Sequence, residues 1–274
     1  MESNVETLTR LVRSAARHPD VVQNIRRHAT GILTHLGMSW SDAASFIDLA
    51  LRMTATSDWI LATESALSDS LPLIVDRMRE QRMAERGTRT FARFANLLEP
   101  GSILDLGGGS GEIGMMMMMK AGGSDVMLAD IRDWRGTDAR NLPFLAISND
   151  TIPLGSKSVD TVVILMALHH SNDPKTMLSE AFRVARRDVI VIESVTNTLE
   201  EYLYGCWIDW FYNRILHFVE DADLRIPVPC NFLSATCWEQ LAWKLSGLAP
   251  SVSKDLGIFQ DLNPEHHWLF QWKT

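Results

Sequence analysis

The sequence predicts an α/β fold: a doubly wound, mostly parallel sheet closed by a C-terminal antiparallel hairpin, behind an all-helical N-terminal segment. Three observations predict it. Residues 1–88 carry apolar residues at helical spacing without strand-like alternation. From Pro100-Gly101 onward, short branched apolar runs alternate with helical stretches, the pattern of buried parallel strands joined by crossover helices. The chain then closes on two strand-like runs separated by Asp-Leu-Asn-Pro.

The N-terminal helices follow from Leu8, Leu11, Val12 and Ala15, then Phe46, Leu49, Ala50 and Met53, then Leu71, Leu73, Ile74 and Met78, each set recurring at helical spacing. Ser41-Asp42 and Ser68-Asp69 read as N-caps of the helices that follow them. Five buried strands are expected at Ser102–Leu106, Val126–Ala129, Phe144–Ile147, Thr161–Ala167 and Val189–Ile192, with a helix over Pro174–Arg186. A long amphipathic helix is expected over Leu199–Phe218. Another is expected over Ser234–Leu245, with a capping box from Thr236 to Glu239 and a stop at Gly247. The final pair is Val252–Phe259 and His267–Trp272. These elements divide the chain into a helical cap or dimerisation segment, 1–88, and a sheet domain, 89–274.

The composition is that of a globular protein with ample core material: 274 residues, 46% hydrophobic and 22% charged. A net charge of −8 argues against a nucleic-acid partner, which normally needs a concentrated basic surface. Arg77, Arg79, Arg82 and Arg86 do cluster, but at the spacing of a solvated helix face. Cys206, Cys230 and Cys237 are odd in number and lack CxxC spacing, so neither a disulfide framework nor a metal site is expected. No stretch reaches the roughly 18 apolar residues of a membrane span, and no signal peptide is visible; a cytoplasmic protein is expected.

The strongest chemical signal is ILDLGGGSGEIG, residues 103–114. Asp105 lies in a strand, and Gly107, Gly109 and Gly111 follow at alternate positions before a helix. Glycines suit a sharp turn whose backbone approaches a ligand without intervening Cβ atoms. About twenty residues on, Asp130 ends the next strand, where an acid accepts ribose hydroxyls. Gly109-x-Gly111-x-x-Gly114 also satisfies the dinucleotide fingerprint. Asp105, however, points a carboxylate at the loop, which repels a pyrophosphate and suits an ammonium group. A Walker loop is excluded because Gly-Lys-Ser/Thr never occurs, and a hydrolase elbow because Glu112 stands where its second glycine belongs.

Together with LADIRD, IPLGSKSVDTVVILMALHHSNDP and DVIVIES, this loop makes residues 101–274 resemble the class I S-adenosylmethionine-dependent methyltransferases, in particular the small-molecule group related to ubiquinone/menaquinone methyltransferases. The resemblance implies a Rossmann-like domain with S-adenosylmethionine as cofactor and a small-molecule acceptor. By the same resemblance, Asp105, Gly107, Gly109 and Gly111 hold the methionine part, Asp130 the ribose, and Ile131 the adenine face. Leu168 joins this cofactor set. The adenine amine falls to Asp150, or to Ser148 and the backbone of Asn149, because the family's usual acid is replaced by Ser148.

His169 and His170 follow the fourth strand and Glu193 ends the fifth, so these are the candidate bases for an acceptor that must lose a proton. Met115–Met119 cover every face of a helix and read as packing, not as ligands. Tyr202, Tyr204, Trp207, Trp210, Phe211 and Tyr212 divide between core and the wall of a pocket for a flat or apolar acceptor. A nicotinamide-dependent oxidoreductase and a cofactor-binding protein without transfer activity stay open as alternatives. The N-terminal helices are expected to cap the site or to pair two copies.

Overall fold

A computed structural model of the chain describes residues 2–69, 71, 83–120, 125–148, 150–217, 225–259 and 263–274. Arg77, Arg79 and Arg82, the positions Leu73, Ile74 and Met78, the turn residues Asp261 and Leu262, and Asn149 lie outside the described residues.

The chain opens with helices α1 (Glu2–Arg17), α2 (Pro19–His35), α3 (Trp40–Thr56) and α4 (Ile60–Ser68). Helix α5 (Met83–Phe94) leads into strand β1 (Ile103–Leu106), and α6 (Glu112–Lys120) into β2 (Val126–Asp130) and β3 (Phe144–Ala146). Then come β4 (Val159–Leu165), α7 (Pro174–Val184) and β5 (Ala185–Ser194). Next are α8 (Leu199–Trp210), continued by a π-helical turn over Phe211–Leu216, then α9 (Ala235–Ser246), β6 (Val252–Phe259) and β7 (Asn263–Lys273).

The predicted strands are all present, and the sheet order is β3-β2-β1-β4-β5-β7-β6. Strands β1 to β5 pair in parallel, whereas β5 and β7 are antiparallel, with Asp188 opposite Lys273 and Ser194 opposite His267. Every residue of β1 is buried, as are Val162, Val163 and Ile164 of β4, because crossover helices cover a parallel sheet. The order reverses direction between β1 and β4. Loops at the carboxyl ends of these strands therefore diverge and leave a crevice, the usual ligand site of an open α/β sheet.

Two capping assignments are corrected. Helix α3 is capped by Ser39, whose side chain accepts from the Asp42 backbone N–H, not by Ser41-Asp42. Ser68 is the last residue of α4, and the helix that Ser68-Asp69 is expected to open falls on residues outside those described. Helix α9 is capped by Ser234 through the Cys237 N–H, so the Thr236–Glu239 box is not formed. In each case several small polar residues stand near the helix end, and backbone dihedrals, not composition, select which one sits at the cap. Gly247 does stop α9, in the left-handed conformation at φ +72°.

The chain divides into two compact units. One comprises Met1–Arg82, Thr196–Phe232 and Phe259–Glu265; the other comprises Met83–Val195, Leu233–Ile258 and His266–Thr274. In the first unit, Val12, Ile25, Ile32, Ile47 and Leu51 of α1–α3 pack with Trp207, Trp210, Phe211 and Ile215 around one core. Trp207 stacks on Phe211 with ring centroids 5.2 Å apart, and its Nε1 donates to Thr54 Oγ1. Most of the aromatic group of α8 is thus core. In the second unit, the sheet packs against α7 and α9 through Leu178, Phe182, Trp238 and Trp272. Among the described residues, no helix is long and apolar enough to cross a membrane.

Candidate active site

The site lies within the second unit, at the carboxyl ends of β1, β2, β4 and β5. The glycine loop needs glycine for separable reasons. Gly107, Gly109 and Gly111 have φ of +78°, +52° and +82°, in the left-handed region. A Cβ on Gly107 would stand 2.5 Å from the Ala167 Cβ, and one on Gly111 2.6 Å from the Ala139 Cβ. At Gly109 an added Cβ would meet nothing within 4 Å, so the loop opens there onto unfilled space. Gly108, passed over in the sequence pattern as a variable position, is equally constrained: its Cβ would fall 2.9 Å from the Asp105 carboxyl carbon.

Asp105 is 2% exposed, and its Oδ2 is buried with no hydrogen-bond partner. Burial, helped by the nearby Asp130, pushes its pKa up to about 7. A carboxyl in that condition lacks a counter-charge. An ammonium group placed against it would supply both a donor and a positive charge.

Asp130 ends β2 and reaches back to the loop. Its Oδ2 accepts from the Gly109 N–H at 3.1 Å and its Oδ1 from the Ile131 N–H at 2.7 Å. Burial raises its pKa, while these bonds and one from the Trp134 side chain oppose the rise. Trp134 was not singled out from the sequence; the signal, an indole four residues beyond the acid in LADIRDW, was there. Ile131 is 44% exposed, unusual for an isoleucine next to a structured acid.

After β3, Ser148 is exposed and pairs with Thr151 in an isolated bridge. Asp150 is buried at φ +57°, and its Oδ2 accepts from the Asp173 N–H at 3.0 Å. One oxygen of Asp150 therefore ties its loop to the start of α7.

Strands β4 and β5 bring the candidate bases together. Parallel pairing of Leu165 with Ile192 aligns the ends of the two strands. The turn Leu168–His170 therefore lies beside Glu193. Glu193 accepts from the Leu168 N–H at 2.9 Å, from the Ser194 N–H at 2.7 Å and from His169 Nδ1. Both side chains are buried. Because a carboxylate oxygen accepts, Nδ1 is the ring nitrogen that carries the proton toward Glu193. His170 stacks on His169 with ring centroids 4.1 Å apart and is half-buried. Leu168 is itself buried.

The residues present fit a nucleoside with a cationic tail. An unpaired buried carboxyl and an open glycine lie beside each other, with a second carboxylate and an exposed isoleucine at the next strand end.

A methyltransferase domain family model matches residues 104–192. Nothing among curated proteins matches the chain. Among solved structures, the chain is similar to the complex of the Haloferax volcanii Trm112 methyltransferase activator with a methyltransferase, at TM-score 0.54 and 18% identity, covering 73% of this chain and 95% of that one. It is similar to the PH0226 protein of Pyrococcus horikoshii, at TM-score 0.50 and 16% identity, covering 72% and 92%. A magnesium protoporphyrin IX methyltransferase of Synechocystis with bound S-adenosylhomocysteine aligns at TM-score 0.47 and 15% identity, covering 73% and 86%. The matched segment runs from β1 to β5 and holds both the glycine loop and the acid that ends β2, so the stretch that carries the site matches a methyltransferase domain.

Proposed function

We propose that the chain is a class I S-adenosylmethionine-dependent methyltransferase acting on oxygen, carbon or nitrogen of a small metabolite, with the glycine loop and the ends of β2 and β3 holding the cofactor. The observation that carries this reading is Asp105, whose buried Oδ2 lacks a partner next to the open glycine loop. A pyrophosphate in the same loop would meet that carboxyl as a like charge, which disfavours a nicotinamide dinucleotide.

S-adenosylmethionine supplies a methyl group activated by its sulfonium. Asp105 would take the ammonium of the methionine tail, with Gly107, Gly109 and Gly111 shaping the backbone around it. Asp130, steadied by Trp134, would take the ribose hydroxyls, and Ile131 and Leu168 would give the nucleoside apolar contact. Ser148, Asn149 and Asp150 would serve the adenine edge. Asp150 contributes the oxygen not engaged by Asp173. His169 receives the proton that an acceptor gives up. Glu193 acts through it by fixing the ring, as a positioning residue, and His170 supports the ring from one face.

In the same reading, residues 1–88 serve as the cap or dimerisation segment and 89–274 as the cofactor domain. The solution mass of the purified chain distinguishes the two roles of the helices. Incubating the protein with methyl-labelled cofactor and a metabolite extract tests the activity: a labelled small molecule is expected. Bound label with no labelled product would contradict transfer.

A further inference from the structure

Helix α4 and the π-helical turn after α8 enclose a charged cluster that the cofactor reading does not use. Glu64 has no exposed side-chain surface. Its Oε1 accepts from Trp210 Nε1 at 2.9 Å and its Oε2 from Arg225 Nη1 at 2.8 Å, so both oxygens are engaged. Arg214 stands beside them with 13% of its side chain exposed, and its Nε is 4.0 Å from Glu64 Oε1. That is an ion-pair distance, too long for a hydrogen bond. Among the described residues, the Arg214 Nε is buried without a hydrogen-bond partner. Asp209, one turn back, also exerts its charge on Arg214, but its Oδ1 accepts from Asn213 Nδ2 at 2.7 Å.

A buried guanidinium N–H without a hydrogen bond is costly; Glu64 and Asp209 attract this group and Arg225 repels it. It is carried on a π-helical turn, a rare insertion that recurs at functional sites. The planar donor fork of arginine matches a carboxylate in two parallel hydrogen bonds. The neighbouring Glu64 and Asp209 oppose a doubly charged anion such as phosphate more strongly than a singly charged one.

We infer that Arg214, with Glu64 and Arg225 packed about it, forms a receptor for the carboxylate of a small organic acid within the helical unit. The inference does not depend on the cofactor reading.

The probe is benzoate, with benzamide as its neutral counterpart, measured on the full chain by thermal shift and calorimetry. Benzoate is expected to stabilise the protein and benzamide is not. Arg214→Met should abolish the benzoate effect, and Arg214→Lys, which keeps the charge but loses the fork, should weaken binding at least about tenfold. If Arg214→Met does not fold, the lysine variant carries the test. The inference is overturned by an equal response to benzamide, by benzoate binding retained in the variants, by a response to inorganic phosphate alone, or by no response at all. S-adenosylhomocysteine binding, measured in parallel, reports on the cofactor loop separately.

Discussion

Glu193 on β5 holds Nδ1 of His169 on the turn after β4, and the two side chains keep 0% and 3% of their surface exposed. The same carboxylate takes the backbone N–H groups of Leu168 and Ser194, so it fixes the turn as well as the ring. A carboxylate engaged three ways is a good orienting group.

Glu193→Gln tests this division of labour. In the unmodified protein, nitrogen NMR is expected to show His169 as the single tautomer protonated at Nδ1; the glutamine variant should show a mixture. For any acceptor found, kcat should fall about tenfold or more with KM largely kept, and the pH profile should shift. An unchanged tautomer and profile would leave Glu193 a merely structural residue.

As the proposed partner of the ammonium group, Asp105 should make cofactor binding pH-dependent. Its ligand-free pKa is raised to about 7, and a cationic tail selects the ionised form. Affinity for S-adenosylhomocysteine should therefore fall as pH drops below about 7 and level off above it, and Asp105→Asn should remove that dependence. Titration calorimetry from pH 5 to 8 checks it.

The same group weakens the ligand-free fold. With its folded pKa raised above the unfolded one, the native state binds the extra proton below about pH 7, so its stability declines as pH rises toward that value. Asp105→Asn should raise Tm at pH 8, by roughly 2–4 °C for each kcal/mol relieved, and raise it less at pH 5. A lower Tm at pH 8 would contradict the burial of an uncompensated charge.

Two glycines of the loop should fail differently. Gly107→Ala forces a Cβ against Ala167 at φ +78° and should lower Tm. Gly109→Ala meets no atom within 4 Å, so only its φ of +52° opposes it, at about 1 kcal/mol. It should mainly weaken adenosyl binding. Equal Tm losses with unaltered binding would show that Gly109 serves the turn alone.

The sheet was legible because buried parallel strands are short, doubly apolar and bounded by turn residues; Ile103–Leu106 and Val162–Ile164 announce themselves. The glycine loop was legible because its positive φ values leave little choice of residue. The pairing of His169 with Glu193 was not, since 24 residues separate them and only the β4–β5 register aligns their strand ends. Nor was the role of residues 196–232. Their tryptophans read equally as core or pocket wall, and packing with α1–α3 decided for the core. Asp150 looked available to a ligand until Asp173 claimed one of its oxygens.

The most direct test of the cofactor site is S-adenosylhomocysteine calorimetry on the unmodified protein, Asp105→Asn and Asp130→Asn at pH 8. The unmodified protein should bind, NADH should not, and each variant should lose affinity about tenfold or more, in keeping with a charge-assisted contact. Equal affinity across all three proteins, or binding of NADH in place of the adenosyl ligand, would contradict the account.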